Sequence, residues 1–228
     1  MIRHALTACV LLLSVPANAQ MSGDSEALER VELMVERLGG AAVWSRTRTL
    51  YLVYDAWSLD PAQPVVEYAW RDLTEPREHM RYQRRTGSFE RVFDGSAGWH
   101  KRDSVRRDLS AEEVEQSNEF WPRDFYTMIR RLAIKDSDLV LRWQQPNKVY
   151  VDDQGGTALG WWVIDDTGQP VIWGTMYDNE PLEYLYMPVV SYGVINFPEG
   201  GTAVDGGWRF TYRKVDVSDD KYQLPEVD

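Results

Sequence analysis

Cysteine is nearly absent from this chain. Its 228 residues contain one cysteine, Cys9, and three histidines, of which His4 also lies near the start. If the first 19 residues are removed as a leader, the remainder can form no internal disulfide. It then also lacks the thiolates and imidazoles needed for a zinc–cysteine site, a thiol nucleophile or a three-histidine metal site. Residues 20–228 must therefore build a hydrophobic core, and they are numerous enough to do so as one domain, although two small domains are possible.

The first 19 residues have the three parts of a secretory signal. Arg3 supplies the positive start, residues 5–15 are apolar, and residues 17–19 (Ala-Asn-Ala) form a small-x-small cleavage site. A lipoprotein acylation box would require the apolar stretch to precede Cys9, whereas residues 10–13 follow it, so plain cleavage is the favoured prediction. No later run is long and apolar enough to span a bilayer. The sequence therefore predicts a soluble product, located in the periplasm or outside the cell.

Familiar catalytic and cofactor motifs are also missing. There is no HExxH motif, no phosphate-binding or dinucleotide-binding glycine motif and no calcium loop. Residues 94–98 (Asp-Gly-Ser-Ala-Gly) have the spacing Gly-Ser-x-Gly rather than the Gly-x-Ser-x-Gly of a nucleophile elbow, which favours a hairpin turn. The acid pairs at 152–153, 165–166 and 219–220 each lie among turn residues. We therefore predict no catalytic residue, no metal and no cofactor.

The formal net charge of −11 is unevenly distributed, and it argues against general nucleic-acid binding. Residues 77–107 hold nine Lys or Arg against four acids, whereas residues 136–228 hold six against sixteen. One interpretation is that mixed charges solvate the outer faces of strands. The other is that the basic stretch meets an anionic head group or an acidic partner, and its candidate residues are Arg81, Arg84, Arg85 and Arg91.

The hydrophobic periodicity predicts an α+β fold. An apolar stripe through Leu28, Val31, Val35 and Leu38 indicates a helix that ends at the glycine pair 39–40. Residues 49–109 alternate as short strands punctuated by turns, which is typical of an antiparallel meander. Residues 110–113 (Ser-Ala-Glu-Glu) have the form of a capping box.

Pro122 ends the helix predicted after that box and is suited to open a second one, whose apolar stripe continues from Phe125 to Leu132. The remainder predicts strands at about 138–143, 147–152, 158–164, 170–177, 183–195 and 207–217. The sum is a large curved antiparallel sheet with an N-terminal helix and a central helical insert covering its concave face.

Aromatic side chains are abundant: ten Trp, twelve Tyr and six Phe. Most of the tryptophans fall within strand-like runs. Because one helix and one insert can cover only part of a sheet face, a curved sheet of this size can hold a wide apolar hollow with the helices as its lid. The alternative is that the rings simply fill a closed core, with the Trp N–H groups bonded at its edge.

The order of these features resembles the LolA/LolB-like superfamily of lipoprotein carriers and receptors in Gram-negative envelopes. The residues that carry the resemblance are the signal segment, Leu38-Gly39-Gly40 with Trp44, residues 93–99, the insert beginning at Ser110, residues 163–170 and the final 222–225. The resemblance implies a half-barrel whose hollow takes acyl chains. The carrier's functional arginine matches no single position of this sequence, and Arg71 and Arg81 are candidates for it only because they lie on early predicted strands. Without an anchoring cysteine, the chain resembles the soluble carrier more than the membrane-anchored receptor.

The sequence thus predicts a soluble, non-enzymatic periplasmic carrier of a hydrophobic or amphiphilic ligand, such as a lipid or a lipoprotein acyl chain. Three alternatives stay open: a carbohydrate- or polymer-binding module that uses exposed aromatics, a hydrolase that uses a carboxylate pair, and a structural envelope protein with a closed core. An envelope protein or lipoprotein is a possible partner. The predicted ligand-binding residues are Val66, Tyr68, Trp70, Met80, Phe93 and Trp99 on the sheet, and Phe125, Met128, Ile129 and Leu132 on the insert.

Overall fold

The computed structural model describes residues 20–58, 64–84, 87–178 and 180–226. The predicted signal segment and Arg85 lie outside these residues. Within them the chain forms four helices: α1 (Ser25–Arg37), α2 (Ala41–Arg46), α3 (Ala111–Phe120) and α4 (Phe125–Ala133). A short 3₁₀ turn, Trp121–Arg123, joins α3 to α4. None of these helices is both long and hydrophobic enough to span a bilayer.

Sixteen strands account for most of the remaining described residues. They are β1 (Ser22–Gly23), β2 (Thr49–Ser58), β3 (Val65–Asp72), β4 (Arg77–Arg84), β5 (Gly87–Phe93), β6 (Gly98–Arg102), β7 (Val105–Asp108), β8 (Leu139–Gln144), β9 (Lys148–Asp153), β10 (Ala158–Ile164), β11 (Pro170–Tyr177), β12 (Glu180–Tyr186), β13 (Val189–Tyr192), β14 (Ile195–Pro198), β15 (Gly200–Ala203) and β16 (Trp208–Ser218).

Fourteen of these strands form one curved, unclosed sheet. Its order is β1-β8-β9-β10-β11-β12-β15-β16-β2-β3-β4-β5-β6-β7, and every pairing is antiparallel except that of β1 with β8. The helices cover one face, called here the inner face, and the opposite face is called the outer face. The α+β half-barrel predicted from the sequence is therefore confirmed.

Local signals explain where the helices begin and end. The predicted capping box is present, since the Ser110 hydroxyl accepts from the Glu113 amide while the Glu113 carboxylate accepts from the Ser110 amide. Helix α1 ends as its glycines predict: Gly39 has φ 115°, a conformation open to glycine, and lies against the backbone of Asn196. Residues 41–46, which follow this glycine pair and include Trp44, form the short helix α2.

The core lies between the inner face and the elements packed on it. Trp44, Leu52, Trp162 and Phe197 are fully buried there. The strand predicted over 183–195 is broken into three, because the chain turns after β12 and again at Gly193, which has φ 78°. Strands β13 and β14 form a separate hairpin that places Phe197 in the core. The inner face is thus covered by this hairpin as well as by the helices.

The outer face carries an aromatic row beneath the C-terminal segment. The ring of Trp70 stacks on Tyr51, on His79 and on Tyr222, with centroid distances of 4.7, 4.9 and 5.0 Å. Residues 219–226 follow β16 onto this face, where the indole of Trp99 donates to the Glu226 carbonyl at 3.0 Å. This end of the chain therefore covers apolar surface that the helices leave uncovered.

His79 makes the stability of this covered row depend on pH. Its ring contacts the Tyr222 hydroxyl at 3.0 Å and Glu90 at 2.8 Å, with Arg81 nearby. Burial lowers the pKa of His79 more than Glu90 raises it. A group whose pKa is lowered on folding stabilises the fold above its unfolded pKa of about 6.5, and this contribution is lost as the pH falls. We expect the free energy of unfolding to decrease from about pH 7 to pH 5.

The substitution His79→Gln tests this expectation. Thermal unfolding followed by circular dichroism should show a smaller loss of stability between these pH values in the variant than in the wild type. An unchanged pH dependence would exclude His79 as its source.

Candidate ligand cavity beneath the helical insert

A cavity, called here the main cavity, lies between the helical insert, α3 to α4, and the inner face of β3, β4 and β5. Its volume is about 340 Å³. This lies within the range of small-molecule pockets, roughly 300–1,000 Å³. Its apolar wall is made by Met80, Phe93, Leu109, Phe120 and Trp121.

An aromatic chamber adjoins this cavity. Its volume is about 150 Å³, and Arg71, Phe120 and Asp124 line both spaces. The other lining residues of the aromatic chamber are Tyr54, Phe125, Tyr126, Trp173, Leu182, Tyr184, Tyr186, Trp208, Phe210 and Tyr212. The two spaces together extend from the insert towards β16 along the inner face.

Arg71 lies at the junction of the two spaces. Its Nη1 is 3.2 Å from Glu78 Oε2 and 3.7 Å from Asp124 Oδ1, and its guanidinium lies 5.3 Å from the ring centre of Tyr126. Burial lowers the pKa of Arg71, but the carboxylate of Asp124 and other nearby groups raise it further, so the net shift is upward. Arg71 is therefore a permanent cation. Its Nε is buried and has no hydrogen-bond partner within the described residues.

Asp124 connects this cation to the insert. It is the N-cap of α4, where its carboxylate accepts from the Tyr126 amide at 3.2 Å. Burial raises the pKa of Asp124, while Arg71 and the amides of the first helical turn oppose that rise. The net shift is upward, so the carboxylate depends on these partners for its charge.

A second carboxylate, that of Glu67 on β3, is buried among tyrosines. Glu67 is 4% exposed and accepts from the Tyr54 hydroxyl at 2.7 Å. Burial raises the pKa of Glu67 above its usual range. The hydroxyls of Tyr126 and Tyr212 meet at 2.7 Å, and burial raises the pKa of both phenols. The aromatic chamber therefore has neutral hydroxyls in its wall beside the charged pair of Arg71 and Asp124.

The predicted sheet residues divide between the two faces. Met80 and Phe93 line the main cavity. The alternation of β3 instead turns Glu67, Ala69 and Arg71 inward. The remaining predicted sheet residues lie on the outer face: Val66, Tyr68, Trp70 and Trp99.

The predicted insert residues lie together on the buried side of α4. Phe125 lines the aromatic chamber. Met128, Ile129 and Leu132 are at most 2% exposed and pack in the core, while Thr127 and Asp124 are the α4-side residues that reach the main cavity. Sequence reasoning missed Asp124 as a site residue, although its position before an apolar stripe is typical of an N-cap.

The four predicted cations also separate. Arg91 lines the main cavity and is ion-paired with Glu78. Arg81 lies on the outer face over the rings of Tyr68 and Trp70. Arg84 is exposed at the end of β4, and Arg85 is outside the described residues.

Two of the carboxylates considered for a hydrolase, Asp94 and Asp165, are engaged in turns. Asp94 lies in the β5–β6 hairpin turn, as predicted, and accepts from the amides of Ser96 and Ala97. Partial burial raises the pKa of Asp94, but these donors lower it more, so the net shift is downward. Asp165 accepts from Thr167 and Gln169 in the same manner. No group of three potential metal ligands occurs among the residues described here.

No protein-family model matches the sequence, and no curated protein sequence matches it. Solved structures similar to the chain include a DUF1329 family protein from Desulfovibrio piger, with 8% identity, a TM-score of 0.49, and coverage of 85% of this chain and 94% of the other. LprF from Mycobacterium bovis has 10% identity, a TM-score of 0.37 and coverage of 90% and 98%.

MucB has 10% identity, a TM-score of 0.23 and coverage of 85% of this chain but 59% of its own.

Proposed function

We propose that this protein is a non-enzymatic carrier that holds an amphiphilic molecule, such as a lipid or a lipoprotein acyl chain, beneath its helical insert. The observation that supports this proposal most directly is the cavity of about 340 Å³, whose apolar wall includes Met80, Phe93 and Phe120. Each methylene group buried there contributes roughly 0.8 kcal/mol. An acyl segment can therefore bind well without other contacts.

The charged wall of the cavity suits the polar end of such a ligand. Arg71 and Arg91 both contact Glu78, and the buried Nε of Arg71 offers a donor that no described residue uses. A carboxylate, phosphate or ester oxygen near this wall would find arginine donors already held in place by acids. The ligand class that fits is an apolar chain with an oxygen-rich head.

Helix α3 provides a way into the cavity. None of its residues is buried. Polar contacts attach it: Ser117 accepts from Arg91 at 2.7 Å, Asn118 donates to the Gly95 carbonyl at 2.9 Å, and Gln116 donates to Asp178 at 2.6 Å. A helix attached by such hydrogen bonds, which are exposed or only partly buried, separates from a sheet at lower cost than one attached by a buried apolar stripe. We infer that α3 moves when the ligand enters.

The proposal includes the route to the envelope. Residues 1–19 would direct export and be cleaved, leaving residues 20–228 as one ligand-binding domain in the periplasm. The engagement of Asp94 and Asp165 in turns favours the carrier over the hydrolase. Stacking of Tyr51, His79 and Tyr222 on Trp70 leaves that ring poorly placed for sugars, which disfavours the carbohydrate module.

Titration with a dansyl-labelled fatty acid tests the proposal. We expect saturable binding to residues 20–228, with energy transfer to the dansyl group from tryptophans near the cavity, such as Trp121. Unlabelled oleate should displace the probe. If the probe shows no saturable binding, or if oleate does not compete with it, the carrier proposal is wrong.

A further inference from the structure

Two neighbouring hairpins of the sheet end in a cluster of exposed cations. These are the β4–β5 and β6–β7 hairpins, and their ends lie side by side because the Ser88 amide donates to the Asp103 carboxylate at 2.8 Å and the Asp103 amide donates to the Ser88 carbonyl at 2.9 Å. The cluster, called here the basic tip, consists of Arg84, Lys101, Arg102, Val105 and Arg106.

The cations of the basic tip point to both faces of the sheet. Strand alternation and register place Arg84 and Arg102 on the inner face with Val105, whereas Lys101 and Arg106 are on the outer face. Arg106 lies over the ring of Trp99 at 4.8 Å. No carboxylate within the described residues forms an ion pair with Arg84, Lys101 or Arg102. Asp103 lies in the turn between β6 and β7, and its carboxylate accepts from the Ser88 amide.

Apolar groups accompany this charge. Val105 is 70% exposed, the highest value among the large hydrophobic residues exposed in the described parts of the chain. Behind it on the inner face, the rings of Tyr82 and Phe89 stack at 5.1 Å, and Arg84 lies over Tyr82 at 4.9 Å. Exposed cations around an apolar side chain, with aromatic rings behind them, match the chemistry of a bilayer interface, where phosphates lie above acyl chains.

We propose that the basic tip docks the protein on the surface of a bilayer rich in anionic phospholipids. The cations contact lipid phosphates while Val105 enters the interface. Because the cations lie on both faces of this end of the sheet, they suit a lipid surface that the end can enter. A partner that covers only one face would contact only some of them. The whole chain has a net charge of −11, so the surface outside the basic tip is acidic and is repelled by such a bilayer, and the tip also fixes the orientation. This docking does not depend on what the cavity holds.

The basic tip lies next to the wall of the main cavity along strand β5. Strand β5 carries Phe89 of the tip region and Arg91 of the cavity wall on the same inner face, two residues apart. Docking by the tip therefore brings the Arg91 end of the cavity towards the lipid surface.

Flotation with lipid vesicles tests the docking. Residues 20–228 should float with vesicles of phosphatidylglycerol and phosphatidylcholine but not with phosphatidylcholine alone, and raised salt should release them. Each cation near an anionic surface contributes about 1 kcal/mol, so the double variant Lys101→Glu/Arg102→Glu should bind at least roughly tenfold more weakly.

A matched variant controls for net charge. Arg37 and Arg46 are exposed on the last turns of α1 and α2, away from the tip, and Arg37→Glu/Arg46→Glu changes the charge by the same amount. This control should lose much less vesicle binding than the tip variant. Val105→Asp, which keeps every cation, should also weaken binding.

Three outcomes would overturn the docking proposal. They are vesicle binding that does not depend on lipid charge, equal losses of vesicle binding in the tip and control variants, and no binding to anionic vesicles at all. The dansyl fatty acid titration separates this test from the carrier proposal, since the tip variant should retain wild-type probe affinity.

Discussion

Replacing Asp124 by alanine is expected to lower the free energy of unfolding by about 3 kcal/mol or more. Asp124 is 7% exposed and balances the charge of Arg71, so its removal leaves a half-buried guanidinium, 24% exposed, with Glu78 as its remaining carboxylate contact. Removing one partner of a fully buried ion pair costs roughly 3–5 kcal/mol, and the partial exposure of Arg71 places this pair at the lower end of that range. The lost N-cap adds about 1 kcal/mol. Urea unfolding followed by tryptophan fluorescence measures the change.

Two further variants separate the charge from the cap. Asp124→Asn keeps an acceptor for the Tyr126 amide and removes only the charge, so it should cost less than alanine. Adding Arg71→Met to Asp124→Ala should recover part of the loss, because the unpaired cation is then gone. A loss below about 1 kcal/mol for Asp124→Ala would show that the pair does not stabilise the insert.

Filling the cavity is expected to abolish most ligand binding. Met80→Trp places a larger ring on the inner face of β4, in the apolar wall of the main cavity. Because the ring would occupy the space proposed for an acyl chain, affinity for the dansyl fatty acid should fall by at least roughly tenfold, the equivalent of losing two buried methylene groups. The same titration used for the wild type gives the change.

Val66→Trp is the matched control for this variant. Val66 lies on the adjacent strand β3, but on the outer face, opposite Gln83. It should leave the affinity for the probe within about twofold of the wild type. Equal losses at Met80 and Val66 would indicate a general loss of folding, whereas full binding by Met80→Trp would place the ligand elsewhere.

The elements of the fold could be predicted from local signals. The capping box at Ser110, the glycines after α1 and the turn at Asp94 each depend on residues close in sequence, and the structure confirms all three. Strands β8 to β11 and β16 begin and end within about one residue of the ranges predicted by their alternation.

The inward side of β3 could not be predicted in this way. A period of two shows that a strand has two different faces, but it does not show which face the helices cover. On β3 the more apolar side, with Val66 and Trp70, faces outward, since Tyr222 from the C-terminal segment stacks on Trp70. The inward side carries Glu67 and Arg71, because residues distant in the sequence form hydrogen bonds or ion pairs with them.

Those partners are far apart in the chain. Glu67 meets Tyr54 from β2, and Arg71 meets Asp124 from the insert. Sequence reasoning treats an acid or an arginine within a strand as solvent-facing, which is the usual outcome unless the group is paired. The cavity wall at Arg71 therefore depends on contacts between distant elements, and no local signal in β3 reveals it.

The central claim is that the cavity holds an amphiphile, and mass spectrometry tests it most directly. The full-length chain should be expressed, the exported protein purified without detergent and sprayed under native conditions, and the organic extract should then be analysed. We predict a mass above that of residues 20–228 by one acyl-chain compound, with that compound in the extract and depleted in Met80→Trp. A bare mass with an empty extract, or equal amounts of the compound in wild type and Met80→Trp, would contradict the account.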